Sequence, residues 1–454
     1  MSKICEYLYE LKISNYGSLQ KYIANNDIKT IHSLVLHLRD LIDSEYVLED
    51  YTPFTYVPNA DISGTGGCQA IPCRISRARK FSNFSALYAD RVYINLEYIT
   101  SEHYEQEDID EIESNIEMYD WYKESVGKDL LLIIAYFKLI EKGIVYITPA
   151  RHMMCMDCFQ KSIFGSEKRI DIEELKADYT LKAKVILRGF DKVTGSADIG
   201  VENISEFFPD HDLFWSIDDR KALKLLAKEK IGSEIKNKRF TQKFISDFIE
   251  EEIIGACYTA LYCQEQNARL ITNKKSDSMF LGMNSSYKNL NYLENQYNSL
   301  PEYRIPIVKN LDLENLLRLR EEERESFNNY RIALNRAIVE QMSIKNEIDL
   351  RKIYDDLIYP ELNKLDMKLK QIKKGKLNKF FGTMSIIGIV IVANKFGNFI
   401  NPSLLAASIS FGIATAATSA NFILENLSNK KIALQDNDFY FLWKLKGKSR
   451  CLKR

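Results

Sequence analysis

Up to about residue 305, the chain alternates between helical and extended hydrophobic patterns, which predicts a mixed α/β fold. Apolar residues recur at helical spacing through the first 50 residues. Short apolar runs predict strands at Val92–Leu96, Ile144–Thr148 and Ala268–Thr272, and the apolar run Leu130–Lys142 predicts a helix between the first two. A strand, a helix and another strand are typical of a parallel α/β unit. Residues 1–305 are therefore predicted to form an α/β head.

Two further patterns complete this part of the prediction. Tyr179–Arg188 and Gly195–Val201 flank a turn-rich segment and predict a β-hairpin. Residues 306–379 have apolar positions at helical spacing mixed with charges of both signs, which predicts a helical connector. The connector is either a charged stalk that joins the head to the hydrophobic segment or a docked helical subdomain, and the pattern is compatible with both.

Residues 380–424 are the sharpest departure from this background, because they contain one charged residue, Lys395. Phe380–Ala393 and Leu404–Leu424 are apolar, and the segment between them contains Pro402 and has the composition of a turn. A helix needs roughly 20 apolar residues to cross the hydrocarbon core, a length that the second arm reaches. The block therefore predicts a C-terminal hydrophobic helical hairpin.

Several features favour a membrane location for this hairpin. A ridge of small residues in the second arm is typical of closely packed membrane helices. The residues expected to contact the membrane or the facing helix are Phe380, Ile387, Gly388, Leu404, Ser408, Gly412, Ala416 and Ala420. Basic residues lie on both sides of the block, which favours both ends in the cytoplasm, and Trp443 in the basic aromatic tail 425–454 suits a lipid interface. The alternative is a hairpin buried in a soluble protein or in a homo-oligomer.

Charge and cysteine content narrow the functional classes. The formal net charge is −1, so the chain has no overall positive field to attract nucleic acid. Eight cysteines without a secretion signal at the N-terminus do not indicate a disulfide framework. We therefore expect the protein at the cytoplasmic face of the cell membrane, with membrane lipid as a partner, or alternatively in the cytoplasm.

One candidate metal site follows the second predicted strand, where His152, Cys155 and Cys158 lie close together. A Cys-x-x-Cys pair places two thiolates on one tetrahedral ion, and Cys68 and Cys73 are candidates for the remaining ligands. Structural zinc is the cofactor that this set would hold. Redox chemistry and ordinary core cysteines remain as alternatives.

Two weaker patterns concern phosphate and metal chemistry. The Gly-rich run Ser63–Gly67 is interpreted as a loop, since no Lys-Ser or Lys-Thr pair follows it and no clear strand precedes it. Asp90 and Asp277 lie near predicted strands and Asp247 in a predicted helix, so a soluble metal-dependent enzyme of the nuclease type is the alternative function.

The chain also resembles a loose group of uncharacterised bacterial proteins. The resemblance rests on SALYADRVYI at Ser85–Ile94, on IPIV ahead of the charged helix Leu317–Arg331, on the hydrophobic hairpin, and on FYFLWKLK at Phe439–Lys446. Such proteins are similar in plan to accessory or effector components of bacterial defence and toxin systems. The resemblance implies a head that senses a ligand or partner and a hairpin that engages the membrane, and it implies no catalytic residue.

Overall fold

A computed structural model shows the expected mixed α/β fold, divided into two units, Met1–Pro301 and Glu302–Arg454. The structure describes residues 2–46, 52, 54–66, 70–96, 98–100, 109, 112–149, 172–191, 196–204, 213–217, 220–272, 274, 276–277, 313–345, 359–365, 367, 437–438 and 440–444. The two units are considered separately below.

The described part of the first unit contains both helices and strands. The helices are α1 (Lys3–Glu10), α2 (Tyr16–Asn25), α3 (Ile28–Glu45), α4 (Ala60–Ser63), α5 (Ile71–Tyr88), α6 (Ile116–Glu141), α7 (Ile172–Lys182), α8 (Arg220–Leu226) and α9 (Lys238–Glu265). The strands are β1 (Thr55–Pro58), β2 (Arg91–Ile94), β3 (Val145–Ile147), β4 (Lys184–Asp191), β5 (Ser196–Glu202), β6 (Leu213–Ile217) and β7 (Arg269–Ile271).

The helical pattern of the first 50 residues is divided by caps into separate helices. The Asn15 side chain accepts a hydrogen bond from the Ser18 backbone N–H at 3.0 Å and starts α2. The Asp27 carboxylate accepts one from the Thr30 N–H at 2.8 Å and starts α3. Each cap satisfies a backbone donor that the first helical turn leaves unpaired, so the helix boundaries follow from these polar residues.

The main sheet is parallel and has the strand order β3-β2-β1-β7. The parallel unit predicted from Val92–Leu96 and Ile144–Thr148 is confirmed, because β2 and β3 pair in parallel with Val92 opposite Val145. Between them, α6 ends at Glu141, and Gly143 in the following turn has a φ of +63°, the left-handed conformation that glycine adopts without strain. In this sheet, β2 and β3 lie on one side of β1, and β7 lies on its other side. The strand order therefore reverses between β1 and β7.

Neighbouring residues of β1 show how helices cover the two faces of this sheet. The rings of Tyr56 and Phe84 lie 5.7 Å apart, so one face packs against α5. Val57 belongs instead to a core that contains Phe248 and Ile253 of α9. Because successive strand residues point to opposite faces, α5 and α9 cover opposite faces at β1. A crevice is expected at the carboxyl ends of the strands where such an order reverses.

A second, antiparallel sheet has the order β4-β5-β6. The predicted hairpin is confirmed, since β4 and β5 pair antiparallel along their length. Its first strand begins later than expected, because Tyr179 ends up in α7 and β4 starts at Lys184. The inner residues Val185, Leu187 and Ile199 belong to the same core as α9, which joins this sheet to the parallel one.

The second unit contains α10 (Leu313–Glu322) and α11 (Arg324–Lys345), as the helical spacing of residues 306–379 predicted. Helical residues 359–365 and 440–444 belong to the same unit. The Phe441 ring stacks on Tyr330 with centroids 5.9 Å apart and meets Phe327 edge-on at 5.1 Å. The described residues of the connector and tail thus pack together as a helical cluster.

The hydrophobic hairpin lies outside the described residues throughout its length, 380–424. Over the part of the chain that the structure does describe, none of the helices combines the length and apolar character needed to cross a membrane.

Candidate functional site

The polar residues of greatest interest lie at the carboxyl end of β1. The interpretation of Ser63–Gly67 as lacking a preceding strand was wrong, because β1 ends at Pro58 and is followed by Asn59 and the short helix α4, which ends at Ser63. Two prolines obscured the strand in the sequence, and Pro58 is accommodated because it occupies the last strand position. The loop after β1 therefore lies at the point where the strand order reverses.

Backbone geometry makes this loop tight. Gly64 has a φ of +82°, and a Cβ atom there would lie 3.2 Å from the Arg74 carbonyl oxygen. A Cβ atom on Gly66 would lie 2.7 Å from that of Ala60, closer than real Cβ atoms approach. The Arg77 guanidinium binds the loop from α5, through the Asp61 carboxylate at 2.9 Å and the Gly66 carbonyl oxygen at 2.9 Å. Glycines at these two positions are required by the backbone and by space.

A buried ion pair between α5 and α6 stabilises the helix that carries Arg77. Arg74 of α5 lies 3.6 Å from the Asp129 carboxylate of α6, and both side chains are almost completely buried. The other Asp129 oxygen accepts backbone hydrogen bonds from Tyr98 at 2.7 Å and Ile99 at 3.1 Å. These bonds satisfy a charge that would be costly to bury alone. The pair fixes α5, and with it the position of Arg77.

Asn59 joins the carboxyl ends of β1 and β7. Its backbone N–H donates to the Ile271 carbonyl oxygen at 2.8 Å, which extends the strand pairing by one residue. Its side-chain N–H group donates to the Thr272 hydroxyl at 2.9 Å and to Oδ2 of Asp277 at 3.3 Å. The Thr272 hydroxyl also donates to the same carboxyl oxygen. Both donors therefore meet one oxygen of Asp277.

Burial changes the acidity of two carboxyl groups here. Burial is the largest influence on Asp277 and raises its pKa, and the negative charge of Asp61 raises it further, while Lys274, Thr272 and Asn59 oppose the shift. Burial also raises the pKa of Glu252, against the attraction of Lys274. The Lys274 ammonium lies 2.8 Å from a Glu252 carboxylate oxygen. A protonated Asp277 is a hydrogen-bond donor as well as an acceptor.

Ser276 is the least expected member of this group. Its side chain is fully buried, and its hydroxyl has no hydrogen-bond partner anywhere in the chain as described. Native proteins pair nearly all buried hydroxyls, so an unpaired one calls for an explanation. We call the whole group the edge cluster: Asn59, Asp61, Arg77, Glu252, Thr272, Lys274, Ser276 and Asp277.

The three aspartates suggested for metal-dependent chemistry are not brought together. Asp277 is in the edge cluster, at the carboxyl ends of the strands. Asp90 lies at their amino ends, where its N–H donates to the Phe54 carbonyl oxygen and its carboxylate accepts from the Thr52 hydroxyl at 3.4 Å. Asp247 is exposed on α9. These positions separate Asp90 from Asp277 by the length of the sheet.

The proposed zinc ligands fall largely outside the described residues, which exclude Cys68, His152, Cys155 and Cys158. Cys73 is described and is exposed in the first turn of α5. Within the described ranges, no group of three or more His, Cys, Asp or Glu side chains is arranged to hold a metal ion. The zinc site stays a prediction from spacing.

Among the membrane-contacting candidates, Trp443 is the one that is described. It is partly buried against Leu365, and its ring lies 5.7 Å from that of Tyr440. Burial is the main cause that raises the pKa of Tyr440, to about 12, with a contribution from Glu323. Trp443 therefore packs on the connector in this structure.

Comparison of the chain with models of known protein families gave no match. Curated proteins and solved structures likewise gave no match. The function must therefore be argued from the residues themselves.

Proposed function

We propose that the protein is a membrane-associated sensor or effector. Its α/β head binds a ligand at the edge cluster, and residues 380–424 engage the cytoplasmic face of a membrane. Similarity in plan to bacterial defence and toxin components, suggested by the sequence, fits this division of labour. The two parts of the proposal rest on different observations.

The membrane part is supported chiefly by the packing of the segments that flank the hairpin. The Asn437 side chain donates to the Glu361 carboxylate at 2.7 Å, and Leu365 packs against Tyr440. The Lys444 ammonium also pairs with the buried Glu323 carboxylate. We call this contact between residues 359–365 and 437–444 the flank clamp. A chain that leaves residues 359–365 and returns to residues 437–444 must start and finish on the same side of a membrane, as a two-arm hairpin does.

The ligand part is supported by the position of the edge cluster. In open α/β sheets, ligands bind outside the carboxyl ends of the strands where the strand order reverses. The edge cluster occupies this place between β1 and β7, and its side chains are polar although they are buried or partly buried. Polar groups in such a place are typical of a binding site with a few well-positioned hydrogen-bonding groups.

Membrane association is tested by fractionating cells that express the full-length protein or a variant lacking residues 380–424. We expect the full-length protein to stay in the membrane pellet after a carbonate wash, and the deletion variant to be in the supernatant. Joining residues 379 and 425 keeps both sides of the flank clamp in the chain. If both proteins are folded and found in the supernatant, the membrane part is wrong.

A further inference from the structure

The charges of the edge cluster make a phosphate-binding role unattractive. Its two cations already face carboxylates, Arg77 with Asp61 at 2.9 Å and Lys274 with Glu252 at 2.8 Å. A phosphate here would add negative charge to a site whose two cations are already paired with carboxylates, which is unfavourable in a poorly solvated site.

The backbone donors of the loop are also committed. The N–H of Ile62 donates to the Asn59 side chain at 3.0 Å. The N–H groups of Gly64 and Gly66 donate to the carbonyl oxygens of Asp61 and Ala60, at 3.3 Å and 2.8 Å. A phosphate cradle needs such N–H groups to point at the ligand. In this loop, these N–H groups donate to oxygen atoms of the loop itself, so they do not point at a ligand.

The groups of the edge cluster that remain available for hydrogen bonds to a ligand are neutral. Asp277 receives its two side-chain hydrogen bonds on Oδ2, and burial favours its protonated form. Ser276, the adjacent residue, has a buried hydroxyl without a partner in the described structure. A carboxyl group and a hydroxyl on consecutive residues match a ligand with two neighbouring hydroxyl groups. In doubly wound sheets, the sugar of a nucleotide is held at such an edge by an acidic side chain.

We propose that the edge cluster binds the ribose of a nucleoside or nucleotide, with Asp277 and Ser276 contacting its 2′- and 3′-hydroxyl groups. This inference rests on the proposed ligand-binding role of the head and specifies its ligand. Asn59 and Thr272 act as positioning residues, since they hold the carboxyl group through one oxygen.

The test is direct binding to the full-length protein, measured by saturation-transfer NMR. The probes are adenosine, guanosine, cytidine and uridine, each compared with its 2′,3′-dideoxy form. We expect at least one ribonucleoside to bind and its dideoxy form to bind at least about tenfold more weakly, the effect of losing one or two hydrogen bonds. Binding of neither form, or equal binding of both, would overturn the assignment.

Ser276→Ala separates a ligand contact from a structural role. Because the Ser276 hydroxyl has no partner in the described structure, its removal should leave the melting temperature unchanged or raise it. The same change should weaken ribonucleoside binding about threefold to tenfold. The matched control is Ser82→Ala, a buried serine of α5 that donates to the Ala78 carbonyl oxygen at 2.8 Å. Unchanged affinity in Ser276→Ala would contradict the proposal.

A second variant, Asp277→Asn, keeps the size of the side chain and should also weaken ribonucleoside binding. Asp90→Asn, at the opposite end of the sheet, is its control. If Asp277→Asn weakens ribonucleosides and dideoxynucleosides equally, the edge cluster is a ligand site but the ribose assignment is wrong. The membrane part of the proposed function is unaffected by any of these results.

Discussion

At the scale of single residues, Asp277 is the side chain on which the proposed ligand binding of the head depends most. It is buried beside a second carboxyl group of raised pKa, Glu252, and it is held by neutral donors from Asn59 and Thr272. Burial raises the pKa of this carboxyl group although Lys274, Thr272 and Asn59 oppose the shift, and a raised pKa favours the protonated form. A neutral carboxyl group in such a place can donate a hydrogen bond, which an ionised one cannot.

The acidity of Asp277 predicts a pH-dependent stability. Its pKa is raised on folding, so the folded state keeps the proton at pH values where the unfolded chain has released it. Stability should therefore fall as the pH rises from the ordinary aspartate value, about 4, through the raised pKa. Asp277→Asn removes this contribution, so thermal melting from pH 4 to pH 8 should show a smaller decline for the variant. Glu252 contributes in the same direction to both proteins, so parallel melting profiles would contradict the assignment.

At the level of elements, the sequence predicted most of the strands. Hydrophobic runs identified β2, β3 and β7 within about two residues, because each is a short apolar segment bounded by polar residues. The strand β1 was missed because prolines at residues 53 and 58 resemble a loop. Asn59, which caps the short helix α4 two residues before Asp61, was the available signal for a strand followed by a helical turn.

The edge cluster was predictable only in part. Asp277 was identified as a residue of interest near a strand, but Asn59, Arg77 and Glu252 come from three other places in the chain. Their proximity depends on the pairing of β1 with β7, which are more than 200 residues apart. Hydrophobic periodicity identifies elements and carries no information about which distant strands pair. The expected partner, Asp90, belongs to the other end of the same sheet.

The flank clamp gives a prediction for the second unit. Phe441→Ala removes a completely buried ring between Phe327 and Tyr330, which should cost about 3–5 kcal/mol of local stability. Hydrogen exchange of residues 359–365 and 440–444 should accelerate together, because both belong to the same packed cluster.

The matched control for this prediction is Ile332→Ala on α11, the helix that contributes Phe327 and Tyr330, where the Ile332 side chain is 50% exposed. This variant should leave the exchange rates of the clamp nearly unchanged. If Phe441→Ala accelerates exchange only in residues 440–444, the two flanks are not coupled and the support for a two-arm hairpin is lost.

In the whole molecule, the proposed ligand binding belongs to the first unit and the proposed membrane contact to the second. The edge cluster lies within Met1–Pro301 and the flank clamp within Glu302–Arg454. Each can therefore be disabled separately, with Ser276→Ala in the first unit and substitutions in the hairpin in the second. A sensor needs both parts, since a ligand acts on a membrane only through the segment that touches it.

Flotation of the purified protein with liposomes of mixed neutral and anionic lipids tests membrane contact most directly. The comparison is with a double variant, Ile387→Lys and Ala416→Lys, because each charge placed at a membrane centre costs about 2.5–3.5 kcal/mol. We predict that the unmodified protein floats with the liposomes and that the double variant remains at the bottom, with the melting temperature of its head unchanged. If both proteins remain at the bottom, or both float equally, residues 380–424 are not a membrane segment and the central claim fails.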